Sequence, residues 1–218
     1  MLDRSNPVEQ QAIGILGVNL IYAVFYQSQT TESFLKNVAQ DVEERIEIDH
    51  VEVRGAAFEG WDQRAILAQL VCTGLAEAVC FPSSGPPVPP IELLHKRAVM
   101  LAPGSFEHID STHAAIHKEM LAAGVKQLRE ELQEKDPAPI GFFCLSASSL
   151  FESDPPPTIA DLVGRVDALH AGGGGVLLFR ERELYYITDL VNRYTKEYVR
   201  FVVGLSLLVR IRTVSLCL

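Results

Sequence analysis

Gly104, Ser105 and His113 stand in the one passage of this 218-residue chain where an apolar run, a glycine turn and a polar helix start follow one another. Ala98 to Ala102 is continuously apolar between Arg97 and Pro103, the pattern of a strand covered on both faces. Gly104 and Ser105 turn the chain, and from Ser111 the sequence reads as a helix with Ser111 or Thr112 as its N-cap. The unpaired N–H groups of such a helix start face the carboxyl end of the strand, where open parallel sheets bind ligands. His113 and His117 are four apart and share a helix face, so with Glu107 or Asp110 they have the donor types of a metal site. Ala114 stands where the zinc-protease helix needs its glutamate, so the pair reads as solvated and no metal is expected.

Further along, Arg180 and Arg182 follow a strand that ends at Phe179, at the same ligand edge, and suit phosphate by their planar donors. Gly172 to Gly175 follows a helix and precedes a strand, the reverse of a phosphate loop, and reads as helix termination at the sheet's amino end. Ser146, Ser148 and Ser149 follow a strand without the Gly-x-Ser-x-Gly elbow of a nucleophile. No strand is followed by G-x-G-x-x-G, which leaves a dinucleotide site as the weakest of the readings.

The passage from Gly104 to His113 resembles the phosphate-binding motif of the nucleotidyltransferase family that includes nicotinate-nucleotide adenylyltransferases. In that motif Gly-Ser/Thr-Phe-Asp-Pro-x-His-x-Gly-His follows a strand and opens a helix. Gly104, Ser105, Phe106, Ile109 and His113 match and Glu107 is close, while His108 replaces the Pro, Asp110 the first His and Thr112 the Gly. The resemblance implies adenylyl transfer from ATP, with Mg²⁺, to a nicotinate or nicotinamide mononucleotide. It makes His113 the catalytic residue that stabilises charge on the transferring phosphate, with Gly104, Ser105, Phe106, Asp110 and Thr112 around the nucleotide. Asp110 would meet phosphate only through the Mg²⁺. Ile187 to Arg193 echoes the family's second motif, Ile-Ser-Ser-Thr-x-x-Arg, whose arginine contacts phosphate; this implies a role for Arg193, beside Arg180.

The opening from Leu2 to Tyr22 is similar to a segment of larger bacterial and plastid-type proteins, whose members carry conflicting names, nicotinate-nucleotide adenylyltransferase and TonB-dependent receptor among them. The similarity runs to about Val209 and implies an N-terminal part that packs against this one. A receptor barrel needs many alternating strands, whereas this chain alternates helices with strands. The competing reading is a non-catalytic α/β scaffold or regulatory module of a larger protein.

A formal charge of −9 and a pI near 5.1, with no stripe of Lys and Arg, set nucleic acid aside as a partner. Cys72, Cys80, Cys144 and Cys217 form no C-x-x-C pair, which suits a reducing compartment: the cytoplasm, or the plastid stroma for a photosynthetic source. The longest apolar stretches, Ala12 to Tyr26 and Tyr198 to Val209, fall short of the ~20 residues that span a bilayer, so no membrane is expected. Ser5 to Gln11 is polar, which excludes a secretory signal there. Residues 210 to 218 continue an apolar run without a cap and read as a truncated or out-of-frame tail.

The elements that must hold these residues follow from caps and periodicity. Asn6, Pro7 and Glu9 predict a helix to about Tyr26 that is apolar nearly all round, hence a core helix, with Gly14, Gly17 and Ala23 admitting a close neighbour. Helices are predicted over Thr31–Glu44, Phe58–Gly74, Thr112–Glu134 (kinked or divided at Gly124), a segment capped by Thr158, and Glu181–Tyr194. Strands are predicted over Ile46–Val53 (an edge strand), Ala76–Phe81, Ala98–Ala102, Ile140–Leu145, Val176–Phe179 and Tyr198–Val203, with Pro82–Pro90 as a surface loop. The alternation predicts one α/β domain over residues 1–209, with a mainly parallel sheet, helices on both faces and a Rossmann-like, nucleotidyltransferase-like character.

Overall fold

The computed structural model describes residues 7–26, 30–42, 45–106, 111–133, 137–148, 156–181 and 183–204. Five strands form one sheet: β1 Ala78–Phe81, β2 Val99–Pro103, β3 Ile140–Ser146, β4 Gly175–Phe179 and β5 Val199–Phe201. Their order is β1-β4-β3-β2-β5, with β4, β3, β2 and β5 mutually parallel and β1 antiparallel to β4. The expected α/β class with a mainly parallel sheet is the one observed. Continuous apolar runs make these central strands, because both of their faces are covered.

Alternate residues divide between two cores, as a period of two requires. Met100, Phe143, Leu145, Val176 and Leu178 pack on one face with helices α2 (Thr31–Ala39), α3 (Gln63–Cys72), α5 (Ser111–Glu131) and α6 (Ile159–Ala171). Val99, Leu101, Phe142, Cys144 and Leu177 face the other way, against α4 (Pro90–Leu94) and α7 (Leu184–Tyr194). The helix starts are set locally. Thr158 and Asp161 close a capping box ahead of α6, and Asp62 accepts the Arg64 N–H at 2.8 Å ahead of α3.

Several expectations are corrected. The helix expected from Phe58 begins only at Gln63, because Gly60 takes φ +82 and Asp62 is the cap. The helix expected to reach Glu44 ends at Ala39, shortly before Asp41 turns at φ +64. Ile46–Val53 is no strand: the outer edge of β1, where it would pair, is taken by Val88, which exchanges both backbone hydrogen bonds with Cys80 at 3.0 and 2.9 Å. The proline-rich loop therefore has a bridge inside it and ends in α4, opened by Pro90 at the first helical position. Gly124 does not divide α5; its bare Cα lies where a Cβ would stand 3.1 Å from Met100 and Val202, so it brings the helix down onto the sheet. The tail after 204 and the Asn6 cap lie outside the described residues.

The largest correction concerns α1 (Pro7–Tyr26), which is not a core helix. The stripe that packs inward is Ala12, Leu16, Asn19 and Ala23 with Val24 half-buried beside it, and Asn19 Nδ2 donates to the Gln40 carbonyl at 2.7 Å and to that of Val38 at 3.3 Å. Val18, Ile21 and Phe25 are 68, 63 and 76 % exposed, and Gly14 and Gly17 face open space. No helix among the described residues is long and apolar enough to cross a membrane.

Candidate functional site

The strand order places the expected site at a topological junction. From β2 the chain steps outward through β3 to β4, then returns to add β5 on the other side of β2, so the order reverses between β2 and β5. Crevices at such reversals, outside the carboxyl ends, are where doubly wound sheets take ligands. Gly104 lies there, its N–H donating to the Cys144 carbonyl at 3.2 Å.

Phe106 folds over the Gly104 turn. It adopts φ +49 and folds its ring back, so that a Cβ on Gly104 would stand 2.8 Å from Phe106 Cζ. The ring meets Phe143 edge-on at 5.5 Å and His117 at 5.3 Å. The bare Gly104 thus admits an aromatic ring of its own loop. Arg165 of α6 fixes the turn by donating to the Ser105 carbonyl at 3.0 Å. Ser111 is inside α5 rather than ahead of it, and Thr112 is exposed in the first turn. His113 shares that turn, but its side chain, like Glu107, His108, Ile109 and Asp110, lies outside the described residues. His117 is exposed apart from its contact with Phe106, and no group of metal-ligating side chains occurs among the described residues.

Arg180 and Arg193 come together, though beside β4, two strands from β2. Both are held by carboxylates: Arg193 Nη1 lies 2.7 Å from Glu77 Oε2, and Arg180 Nε 3.2 Å from Glu181 Oε1. The Arg180 N–H also donates to the Glu77 carbonyl at 3.0 Å, which ties the end of β4 to the start of β1. The cavity they line, with Phe179 and Leu190, measures about 50 Å³, against the ~300 Å³ of the smallest usual ligand pockets. Acidic neighbours crowd this corner. Burial, followed by the charges of Glu77 and Asp49, holds the Glu47 carboxyl above its ordinary range. Burial and then Asp49, Glu47 and Glu77 push the Tyr194 hydroxyl up to about 12. Arg182 lies outside the described residues.

The three described cysteines carry no nucleophile. Burial pushes Cys72 up to about 12 and is the largest cause that lifts Cys80 and Cys144 further, so the thiols stay protonated and pack as small apolar groups.

The roomiest cavity described here, about 420 Å³, opens at the opposite, amino end of β3 and β4. Gly173, Gly174 and Gly175 form one wall, and the helix termination expected of them is observed: Gly172 caps α6 and Gly173 turns at φ +81. Lys118, Lys126 and Arg129 of α5 form another wall. The sequence reading did not single out these cations. Their signal was present in the spacing, since 118, 122, 125, 126 and 129 follow one helix face beside the core positions Leu121 and Leu128.

Fold and site together define an α/β domain with a mostly parallel, doubly covered sheet and two unlike strand-end regions. No protein-family model, no curated protein and no solved structure matches this chain.

Proposed function

We propose that this chain is a non-catalytic α/β module that assembles with another polypeptide through α1. The observation that carries the reading is the bare apolar surface of that helix. At 100° per residue, Leu20, Ile13, Ile21, Phe25, Val18, Tyr22 and Tyr26 sweep about two thirds of the circumference, and all seven are exposed. A helix that is apolar all round belongs in an interior. The seven side chains present roughly 900 Å², beyond the few hundred Å² a monomer leaves bare and close to one partner's ~800 Å² share of a standard interface.

The breadth and charge of the face define the partner. One more helix would cover only about 100° of the circumference, so the complement is an apolar groove built from at least two elements. The only charged residue of α1 is Glu9, so neither a basic partner nor an anionic lipid surface is attracted to it. The N-terminal part that the family resemblance implies is one source of such a groove.

The test is Ile21→Glu/Phe25→Glu, two exposed sites whose change leaves the core intact. The native chain is expected to self-associate across a concentration series in light scattering, and the variant to run at the 24.0 kDa of one chain with an unchanged melting point. A photo-crosslinker at Ile21 of the protein in its cell should give one discrete product. Native material that stays monomeric throughout and yields no discrete crosslink would remove the reading.

A second reading is favoured by the strand-order reversal at Gly104: a Rossmann-like, nucleotidyltransferase-like domain that takes ATP and Mg²⁺ there, with His113 at the phosphate. It requires the Phe106 ring to leave Gly104, and phosphate contacts from residues other than Arg180 and Arg193, which Glu181 and Glu77 hold. These requirements place it second.

A further inference from the structure

The chain has 28 acidic residues against 19 Lys and Arg, yet no described carboxylate lines the 420 Å³ cavity at the amino end of the sheet. Three cations do. Lys126 leans toward Glu130 at 3.9 Å, while Lys118 and Arg129 have no carboxylate partner among the described residues. The apolar part of the lining comes from Leu121 and Val125 on the α5 face of the sheet and from Leu93 and Ile140 on the other. The volume lies within the ~300–1,000 Å³ of small-molecule sites, and an apolar body with a few convergent polar groups is their usual lining.

The bare glycines of the turn let Phe143 and Lys118 come close. A Cβ on Gly174 would stand 2.1 Å from Phe143 Cε2, and one on Gly173 3.0 Å from Lys118 Nζ. Main-chain amides do not supply the recognition, because the N–H groups of Gly173 and Gly174 are spent on the His170 and Leu169 carbonyls at 2.7 and 3.2 Å. This separates the site from a phosphate loop: its positive charge comes from side chains alone.

We propose that this cavity binds a small organic anion with an apolar body, its carboxylate or phosphate head on Lys118 beside Gly173, within the field of Arg129 about three turns along α5, and its body on Leu121 and Val125. Two probes distinguish the head groups, octanoate for an aliphatic carboxylate and adenosine monophosphate for an aromatic phosphate, with 1-octanol as the neutral control. Amide resonances of the full ¹⁵N-labelled chain report where each one sits. The expected result is saturable shifts at Gly173 to Gly175 and Gly141 with at least one anion and none with octanol, weakened roughly tenfold in Lys118→Ala/Arg129→Ala and by added salt. Ala122→Trp, which intrudes on the cavity from an exposed position without altering charge, should abolish the shifts. The proposal fails if neither anion shifts these glycines, if the double variant binds as the native chain does, if octanol binds equally well, or if the shifts fall on Val18, Ile21 and Phe25 instead.

Discussion

The two ends of the parallel strands differ in what their glycines and cations do. At the carboxyl end Gly104 receives the Phe106 ring, and Arg180 and Arg193 are neutralised by Glu181 and Glu77. At the amino end Gly174 likewise receives the Phe143 ring, but the turn beside it lines a cavity with Lys118 and Arg129, which no described carboxylate meets. The same residue types, glycines packed by aromatic rings and basic side chains at the strand ends, leave about 50 Å³ beside the arginines at one end and about 420 Å³ at the other. The difference lies in the neighbours: three acidic residues, Glu47, Asp49 and Glu77, gather near Arg180 and Arg193, and no described one lines the second. A motif read for residue type alone cannot separate these cases, because a cation contributes to a site only while nothing else has claimed it.

Phe143 joins the two ends, since its ring meets Phe106 on one side and closes on Gly174 on the other. Phe143→Ala is therefore the largest expected perturbation, about 3–5 kcal/mol for a fully buried ring. At this chain length that lowers the melting point by on the order of 10 °C. Amide exchange should quicken at both Gly104 and Gly174. Quickening at only one end would show that the two regions are mechanically separate.

Phe106→Ala addresses the carboxyl end alone. Its ring is half-buried, so its loss should cost about 1–2 kcal/mol and leave Gly104 bare. On the assembly reading, Mg²⁺-ATP then moves the melting point of neither the native chain nor the variant. ATP bound at ~100 times its dissociation constant would add about 2.7 kcal/mol, so a rise in the variant that a further His113→Ala abolishes would identify Phe106 as a plug and promote the nucleotide reading.

Much of the framework is legible in the sequence because it is encoded locally. The apolar runs at Ala98–Ala102, Ile140–Leu145 and Val176–Phe179 each give a strand, and Thr158 with Asp161 gives the α6 start. What escapes is non-local. Ile46–Val53 alternates as a strand does, but pairing needs a free edge, and Val88 already holds that of β1. The periodicity of α1 reports apolar residues all round without saying which side is covered; Ala12, Leu16, Asn19, Ala23 and Val24 lie on it. The candidate sites divide in the same way. Gly104 falls at the end of a strand, as read, whereas the cavity needs α5, the start of β3 and the 172–175 turn, which sheet order alone brings together.

The smallest expected effect probes the charge difference directly. The Glu47 carboxyl is raised in the folded chain, so the native state holds its proton more tightly than the unfolded state does. Stability from this group is accordingly present below its unfolded value of 4.5 and is lost as pH rises through the folded one. At neutral pH the ionised group is a net cost, screened because the side chain is largely exposed. Glu47→Gln should stabilise the chain at pH 7 by no more than about 0.5 kcal/mol, and the gain should vanish in acid, where both side chains are neutral. Asp161 runs in the opposite sense. Its hydrogen bonds from Thr158 hold it below 3.8, so its contribution persists at neutral pH and disappears only as pH falls through that lowered value. Melting curves of Glu47→Gln and the native chain, compared from neutral to acid, separate the two. A gain that persists in acid would mean that the Glu47 side chain acts through packing, and the acidic crowding of the carboxyl end would no longer distinguish it from the amino end.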